Sequence, residues 1–522
     1  MENSQVRFQV IVHRARDHKL FDEMQPNVRF LSLVEELQFY ILCFLPYRDI
    51  LRCTSVCKAL RQTYLSSSEL QYIVELGGQC LLPVPNTDNH TPISERLRLL
   101  RNKAHAWFKV DIHSSKTTSV PPHHACETSL TDGHFYMWNR WRRMASIIPI
   151  LPKPSQRTIQ RDWFRETLCS VPNSTNLRVF MDPAQDLKAV FYVVDRKTTY
   201  IDLRALDVDG VHPHAAGPTL FVSELPGCDK PVNWNLKGFG SYIALLLVYD
   251  EMWQLQIWDW KRSTTSNSVL GDEWSCGIDF CFLGNNRWLV VSDNLKLYST
   301  EDMSQTPKLL ACFMLPVQFK LPGHTACLLP VDDSARSSRL QMQVQQTMYT
   351  SDPKHRLLCI TTYTNSSIVY IISTRIFFDL DDMAVAMPIP WKCWGPSNTR
   401  IFWYPLSPYH DEFKIHLSGN RVLLLFPVRT PLSDNTISKL RIMDFSPLAV
   451  TNRRGLGRVV REPSTLDLTD LEPLCDESEG CLTTFLPYIE VVLDRKFRDL
   501  EDIWIDEDRI YLLSDELEVI DV

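Results

Sequence analysis

Cysteine and histidine are the residue types in this 522-residue chain whose spacing comes closest to a chemical site. Cys53 and Cys57 stand four residues apart, which would place two thiols on one helix face in an arrangement that zinc could use. Because no second pair follows nearby, buried thiols are the better interpretation. His123-His124 and His212-Pro213-His214 would form a metal site only if the fold brought them together, and histidines in surface loops are the simpler interpretation.

Catalytic and phosphate-binding motifs are missing from the sequence. It contains no G-x-S-x-G, no P-loop, no H-E-x-x-H and no EF-hand loop. Gly455-Leu456-Gly457 begins a dinucleotide-binding pattern but lacks the third glycine and a preceding strand. We therefore expect no catalytic residue, no metal ligand and no cofactor, and a binding protein rather than an enzyme.

The charge balance bears on the class of partner. Lys and Arg total 55 against 62 Asp and Glu, and the net charge of -7 argues against nucleic-acid binding as the main role. Local basic clusters at Arg96–Lys103, Arg140–Arg143 and Arg453–Arg458 are interpreted as solvated faces. Tryptophans cluster between Trp253 and Trp394, and most should pack between strands, leaving one or two as anchors for a peptide.

The cellular compartment is indicated by cysteines and apolar runs. Fifteen cysteines at irregular spacing are typical of reduced thiols rather than of a disulfide framework. Met1–Arg16 has no long apolar run, so no secretory signal is expected, and runs such as Ile243–Tyr249 fall far below the roughly 18 residues of a membrane span. We expect an intracellular protein of the cytoplasm or nucleus, with no nucleic-acid or membrane partner.

The elements that must position a binding surface begin with three short helices. Apolar residues recur at helical spacing from Leu37 to Leu45, and Pro46 ends this first helix. Asp49–Cys57 and Lys58–Tyr64 carry two further apolar stripes. Helices this short owe most of their stability to the packing of an apolar face, so they need a partner surface.

The segment Leu33–Gln62, LVEELQFYILCFLPYRDILRCTSVCKALRQ, resembles the F-box family in residue type and in spacing. The family pattern runs Leu-Pro-x-Glu-Leu, then Ile-Leu-x-x-Leu-Pro-x-x-Asp-Leu, then Val-Cys-Lys-x-Trp. Val34 stands where proline is usual, and Leu60 where an aromatic residue is usual. The positions that agree are Leu33, Glu36, Leu37, Ile41, Leu42, Leu45, Pro46, Asp49, Ile50, Val56, Cys57 and Lys58.

The resemblance implies that the box docks on a small Skp-type linker protein, which in turn holds a cullin scaffold. Each fully buried aliphatic side chain contributes roughly 1.5 to 3 kcal/mol to such an interface. A three-helix cap packed on the protein's own next domain is the alternative. The residues expected to bind the linker are Leu33, Leu37, Ile41, Leu45, Pro46, Ile50, Leu51, Val56 and Leu60.

Further helices follow the box. Ser67 or Ser68 is expected to cap a helix that ends at Gly77-Gly78, and Thr91-Pro92 to open another that runs through Ala104. From about Trp107 onward the period changes to the alternation typical of strands. We expect an N-terminal tail over 1–28, the F-box over 29–66, a helical linker over 67–105 and an all-β region over 106–522.

The β region contains an internal repeat. Gly284–Ser299 aligns without gaps on Asp506–Asp521, and each reads as turn, strand, Ser-Asp turn and strand. Asp182-Pro183 and Asp352-Pro353 precede two further strands in the same way. Because one hairpin cannot bury its apolar face, hairpin repeats over this length must stack or close into a ring.

The fold class expected from these patterns is a multidomain α+β protein, with an α-helical F-box and linker before a degenerate β-propeller of six to seven blades. Trp258-Asp259 is similar to the WD-repeat signature. A parallel β-helix or a pair of stacked β-sandwiches is the competing architecture. We expect the last strand, Leu517–Asp521, to be joined by a strand from near Trp107–Val110, so that the ring closes.

The box, linker and repeat region together resemble the F-box proteins that are numerous in mushroom-forming fungi. That resemblance implies a non-catalytic, substrate-recognition adaptor of an SCF-type (Skp-cullin-F-box) E3 ubiquitin ligase, whose β region binds an unknown target protein. A ligase-independent F-box scaffold and an enzyme built on a β-propeller are the alternatives.

Overall fold

The structure is a computed structural model of the whole chain. The residues it describes are 30–84, 91–110, 115–124, 126–150, 158–169, 171, 174–195, 198–223, 231–271, 278–284, 286–316, 324–328, 348–363, 366–380, 387–405, 413–428, 437–451, 457–467, 481–498 and 500–522. They divide into two compact units. The first consists of the described residues up to Gly77 together with Thr91–Leu99, and the second consists of those from Gly78 onward together with Leu100–Val522.

The helices of the first unit follow the predicted order. A 3₁₀ turn at Phe30–Ser32 precedes them, and the Ser67 hydroxyl accepts a hydrogen bond from the amide of Leu70 at 3.1 Å, which makes Ser67 the predicted cap. All helices in the described ranges are too short or too polar to cross a bilayer. Those of the box region are α1 Glu35–Cys43, α2 Tyr47–Val56, α3 Lys58–Ser66, α4 Ser68–Gly78 and α5 Ile93–Ala106.

The core of the first unit lies where α1, α2, α3 and α4 meet. Five aliphatic side chains form it, and each is at most 4% exposed. Gly77 allows α4 to approach α2, because a Cβ there would lie 2.5 Å from a Tyr47 ring carbon. The five are Leu42, Ile50, Leu60, Leu70 and Val74.

The second unit contains seven antiparallel sheets of four or five strands, arranged as a seven-bladed β-propeller. Each blade is a run of neighbouring strands, numbered β1 to β34 in chain order over the described residues. Blade 1 is β3 Glu127–Thr131, β4 His134–Asn139, β5 Met144–Pro149 and β6 Arg161–Trp163; blade 2 is β7 Thr175–Asp182, β8 Leu187–Val194, β9 Thr198–Ala205 and β10 Thr219–Phe221; blade 3 is β11 Asn233–Phe239, β12 Tyr242–Val248, β13 Trp253–Asp259, β14 Thr264–Thr265 and β15 Val269–Gly271.

The remaining blades follow the same pattern, with larger insertions. Blade 4 is β16 Asp279–Gly284, β17 Arg287–Val291, β18 Asn294–Ser299 and β19 Lys308–Met314; blade 5 is β20 His324–Leu328, β22 Leu357–Tyr363, β23 Ser366–Ser373 and β24 Thr399–Pro405; blade 6 is β25 Lys414–Ser418, β26 Arg421–Val428, β27 Ile437–Asp444, β31 Tyr488–Phe497 and β28 Arg458–Val460; blade 7 is β32 Asp502–Ile505, β33 Arg509–Leu513, β34 Leu517–Asp521 and β2 Ser115–Thr118.

The second unit also contains smaller elements. Three 3₁₀ turns occupy Pro183–Gln185, Pro353–His355 and Thr374–Phe377. Two two-stranded ribbons are β1 Leu81–Pro83 with β21 Tyr349–Ser351, and β29 Ser464–Asp467 with β30 Cys481–Thr484. The helices are α6 Arg165–Leu168, α7 Trp391–Asn398 and α8 Pro447–Thr451.

Closure of the ring joins the two ends of the second unit. Ser115–Thr118 pairs antiparallel with β34, with Ser115 opposite Ile520 and Thr118 opposite Leu517. The predicted closing strand at Trp107–Val110 is therefore wrong in position, because Trp107 lies in a turn after α5 and its indole is buried in the core shared by blades 6 and 7. The principle of closure holds, since this pairing removes an exposed edge.

The predicted repeats correspond to equivalent parts of different blades. Gly284–Ser299 and Asp506–Asp521 contain the β17–β18 and β33–β34 hairpins, which are the second and third strands of blades 4 and 7. Their Ser-Asp turns contain equivalent hydrogen bonds. The Ser292 amide donates to the Asn294 carbonyl and the Ser514 amide to the Glu516 carbonyl, each at 3.0 Å. Apolar clusters packed between successive blades form the core of the unit.

Candidate functional site

Helix α1 begins with two features that position its side chains. Glu35 and Glu36 lie in the first turn, where carboxylates stabilise a helix N-terminus. The buried Gln38 amide donates a hydrogen bond to the Leu33 carbonyl at 2.7 Å and so fixes the chain entering the helix. Val34, at the N-cap, has φ -61° and ψ 150°, and its side chain makes no capping hydrogen bond.

The same helix carries apolar side chains on a buried side and on an exposed side. Leu42 is 1% exposed and faces the box core, whereas Leu37 is 49%, Ile41 40% and Phe44 66% exposed. Tyr40, also exposed, makes an edge-to-face contact with Phe44, their ring centroids 4.9 Å apart. Because the box core does not cover these apolar side chains, the outer side of the helix is suited to contact with another protein.

Apolar side chains on the other box helices extend this surface. Val56, at the end of α2, is 75% exposed, and Leu65 on α3 is 55% exposed. We call the exposed apolar residues of this region the box surface. Its members are Leu31, Val34, Leu37, Tyr40, Ile41, Phe44, Leu51, Val56 and Leu65.

The predicted linker-binding residues occupy different environments. Leu37, Ile41, Pro46, Leu51 and Val56 are exposed, and Leu33 and Leu45 are half-buried. Two others lie in the core of the box itself, with Ile50 at 0% and Leu60 at 4% exposure.

Sequence reasoning did not identify five members of the box surface as partner-binding residues: Leu31, Val34, Tyr40, Phe44 and Leu65. A signal for two of them was present, because Val34 and Phe44 share helical spacing with Leu37 and Ile41. The spacing alone does not tell which of the two apolar sides faces the core.

The cysteines of the box do not share a helix face, contrary to the spacing argument. Cys53 lies within α2, whereas Cys57 has extended backbone, with φ -153° and ψ 163°, between α2 and α3. Both pack against the box core. Burial raises the pKa of the Cys43 thiol and the nearby Glu69 carboxylate raises it further, so Cys43 stays protonated at neutral pH and packs as an apolar group.

The two candidate histidine groups, His123-His124 and His212-Pro213-His214, contact different partners. His123 Nε2 lies 3.2 Å and His124 Nδ1 2.7 Å from the Glu501 carboxylate, while His212 Nε2 lies 2.9 Å from the Gln185 carbonyl. The interpretation of surface-loop histidines is wrong for His123 and His212, which are 3% and 1% exposed. Within the described ranges, no group of three His, Cys, Asp or Glu side chains is arranged to hold a metal ion.

A cavity of about 360 Å³ lies between the outer strand of blade 5 and blade 6. Phe402, Trp403 and Tyr404 of β24 line it together with Arg441 of β27. Burial raises the pKa of the Tyr404 phenol, which therefore remains protonated at neutral pH. Aromatic walls and a neutral phenol suit binding rather than proton transfer.

Comparison with known proteins identifies the first unit. Residues 30–63 match the family model described as the F-box domain. The chain therefore contains an F-box domain, which is followed by a seven-bladed β-propeller. F-box domains typically bind Skp-type linkers, and an F-box joined to a propeller suggests an SCF adaptor role in general, which fits a non-catalytic protein.

No curated protein matches the chain. Among solved structures, it is similar to the Cps50 (Swd1) β-propeller domain of Myceliophteria thermophila, at 9% identity over 78% of this chain and 99% of that one, with a TM-score of 0.37. Hsv2 of Kluyvelomyces marxianus has 8% identity over 61% and 92% of the two chains, with a TM-score of 0.27. Likenesses this low carry no argument about function.

Proposed function

We propose that this protein is a substrate-recognition adaptor of an SCF-type E3 ubiquitin ligase. The box surface binds the Skp-type linker, the linker connects to the cullin scaffold, and the propeller binds the target protein. The protein itself supplies proximity between target and ligase rather than chemistry.

The observation that carries the proposal is the outer side of α1. Leu37, Ile41 and Phe44 are 40% to 66% exposed, although Leu42 of the same helix is packed in the box core. An apolar stripe of this kind is unfavourable in water and becomes favourable when a partner helix covers it.

The size of the effect is of the order that binding requires. Covering the exposed half of one such side chain contributes about 1 kcal/mol, half of the value for a fully buried aliphatic group. The nine members of the box surface therefore supply roughly 9 kcal/mol, which is of the same order as the association cost of about 4 to 15 kcal/mol. Leu37 and Ile41 lie one helical turn apart at the centre of the stripe.

Co-purification with a Skp-type linker tests the proposal. In Leu37→Asp with Ile41→Asp, two buried contacts become two desolvated carboxylates, and linker binding should fall by roughly 100-fold or more. The matched control is Phe221→Asp with Leu270→Asp, which changes two exposed apolar residues of the outer strands of blades 2 and 3 and should leave linker binding intact.

Two results would decide against the proposal. Undiminished linker binding by the double Asp variant, with its helical circular dichroism unchanged, would show that the box surface is not the docking site. Capture of the linker without any cullin would favour the ligase-independent scaffold.

A further inference from the structure

The hairpin between β4 and β5 of blade 1 presents an unusual tip. It carries Arg140-Trp141-Arg142-Arg143, and the Trp141 side chain is 82% exposed, the highest exposure among the large hydrophobic side chains that the structure describes. The turn is held by a hydrogen bond from the Arg142 amide to the Asn139 side-chain oxygen at 2.8 Å. An exposed tryptophan in a closed turn has no packing role in the propeller.

Neighbouring elements extend this tip into a surface. Ala145 pairs with Trp163, which places Phe164 and Arg165 beside the hairpin, and Phe164 is 57% exposed. On the other side, the Arg140 guanidinium lies over the Trp234 ring at the start of β11, 5.6 Å from the ring centroid. We call this surface the blade 1 rim; its members are Arg140, Trp141, Arg142, Phe164, Arg165 and Trp234.

The charge of the rim contrasts with that of equivalent turns. Turns between the second and third strands of the blades lie on one face of a propeller, and those described in blades 3, 4 and 7 carry Asp250-Glu251, Asp293 and Asp515-Glu516. The rim thus carries three arginines and three aromatic residues, with the exposed Glu166 beside Arg165, on a face where the turns named above are acidic. A short acidic segment fits the rim, whereas a nucleic-acid backbone extending beyond it would meet those acidic turns.

We propose that the blade 1 rim binds an acidic segment of the target protein. Trp141 and Phe164 pack against an apolar side chain of that segment, and Arg140, Arg142 and Arg165 pair with its carboxylate or phosphate groups. This inference rests on the proposed adaptor function and gives the chemistry by which the propeller recognises a target.

Fluorescence anisotropy with three short labelled peptides of otherwise identical sequence tests the inference. Each peptide has a central apolar residue flanked by glutamine, glutamate or phosphoserine. We expect the glutamate and phosphoserine peptides to bind the full-length chain at least about tenfold more tightly than the glutamine peptide, with affinity falling as salt rises. A larger gain for phosphoserine than for glutamate identifies phosphate as the ligand, and equal gains identify carboxylate.

Variants connect that binding to the rim. Arg140→Glu with Arg142→Glu should abolish the preference for acidic peptides, and Trp141→Ala should weaken all binding about tenfold. The matched control, Arg262→Glu with Arg458→Glu, makes the same charge change at side chains that are 81% and 72% exposed elsewhere and should keep the preference.

Three outcomes would overturn the inference. The first is equal binding of all three peptides. The second is a preference for acidic peptides that persists in Arg140→Glu with Arg142→Glu. The third is binding of a single-stranded oligonucleotide that is tighter than peptide binding and is abolished by the same double variant. Linker co-purification is measured on the same variants. Failure of the wild type to co-purify with the linker refutes the adaptor role. Co-purification without any preference among the peptides refutes only the proposed binding of an acidic segment by the rim.

Discussion

Lys188 of β8 is a buried cation, and replacing it should stabilise the propeller. The side chain is 2% exposed, and its ammonium lies over the Trp163 ring, 4.0 Å from the centroid. Burial, with the nearby Arg204 and Arg161 acting in the same direction and Asp209 opposing them, lowers the pKa of Lys188 to about 7. The native state therefore disfavours the charged form.

The magnitude follows from that pKa. A decrease from 10.5 to about 7 corresponds to about 5 kcal/mol of native-state penalty below pH 7, of which the contact with Trp163 offsets about 1 to 2 kcal/mol. Between pH 7 and 10.5 the unfolded chain holds the proton that the native chain has lost, so wild-type stability rises with pH in this window. Lys188→Met should thus be more stable by about 2 to 4 kcal/mol near pH 7, and this advantage should shrink by about 3 kcal/mol at pH 9.5.

Urea denaturation of the wild type and Lys188→Met at several pH values measures this difference. Lys439→Met, which removes a half-exposed lysine from β27, serves as the control and should change stability by no more than about 0.5 kcal/mol. An advantage of Lys188→Met that stays constant from pH 6 to 9.5, or a loss of stability at every pH, would refute the reasoning.

Three further predictions concern single residues. Val34→Pro should raise the free energy of unfolding of the box by about 0.5 to 1 kcal/mol, because the native φ of -61° already suits proline; a lower melting temperature contradicts this. Burial lowers the pKa of His416 to about 4, so stability should fall by about 3 kcal/mol at most as pH drops from 6.5 to 4, and His416→Gln, measured by urea titration, should lack this slope. Gly457→Ala should cost about 1 to 3 kcal/mol in thermal unfolding, since φ is +85° and the new Cβ would lie 2.8 Å from the Glu490 carbonyl oxygen; unchanged stability would exclude the strain.

Local signals predicted the parts of the fold that are local. The Ser67 cap depends on residues within one turn, and the gapless match of Gly284–Ser299 with Asp506–Asp521 reflects hairpins that occupy the same place in two blades. The closing strand was misplaced because Trp107 and Ser115 are both near the end of the linker, and only the packing of blades 6 and 7 decides that the indole fills the core.

The candidate site was predictable in kind but less so in detail. The F-box pattern identified α1 and α2, yet it did not separate Ile50 and Leu60, which the box buries, from Leu37 and Ile41, which it leaves exposed. The blade 1 rim was overlooked, because the sequence does not distinguish the exposed Trp141 from the tryptophans that pack between blades. The sequence pattern shows which sides of a helix or strand are apolar, whereas tertiary packing decides which of those sides is covered.

The central claim is that the outer side of α1 is completed by a second protein. Size-exclusion chromatography with light scattering, on the purified chain mixed with a Skp-type linker, tests it most directly. We expect a one-to-one complex in which hydrogen exchange slows along Glu35–Cys43, beyond the protection that the free chain already shows. Separate elution of the two proteins at micromolar concentration, with exchange in that helix unchanged, would contradict the account.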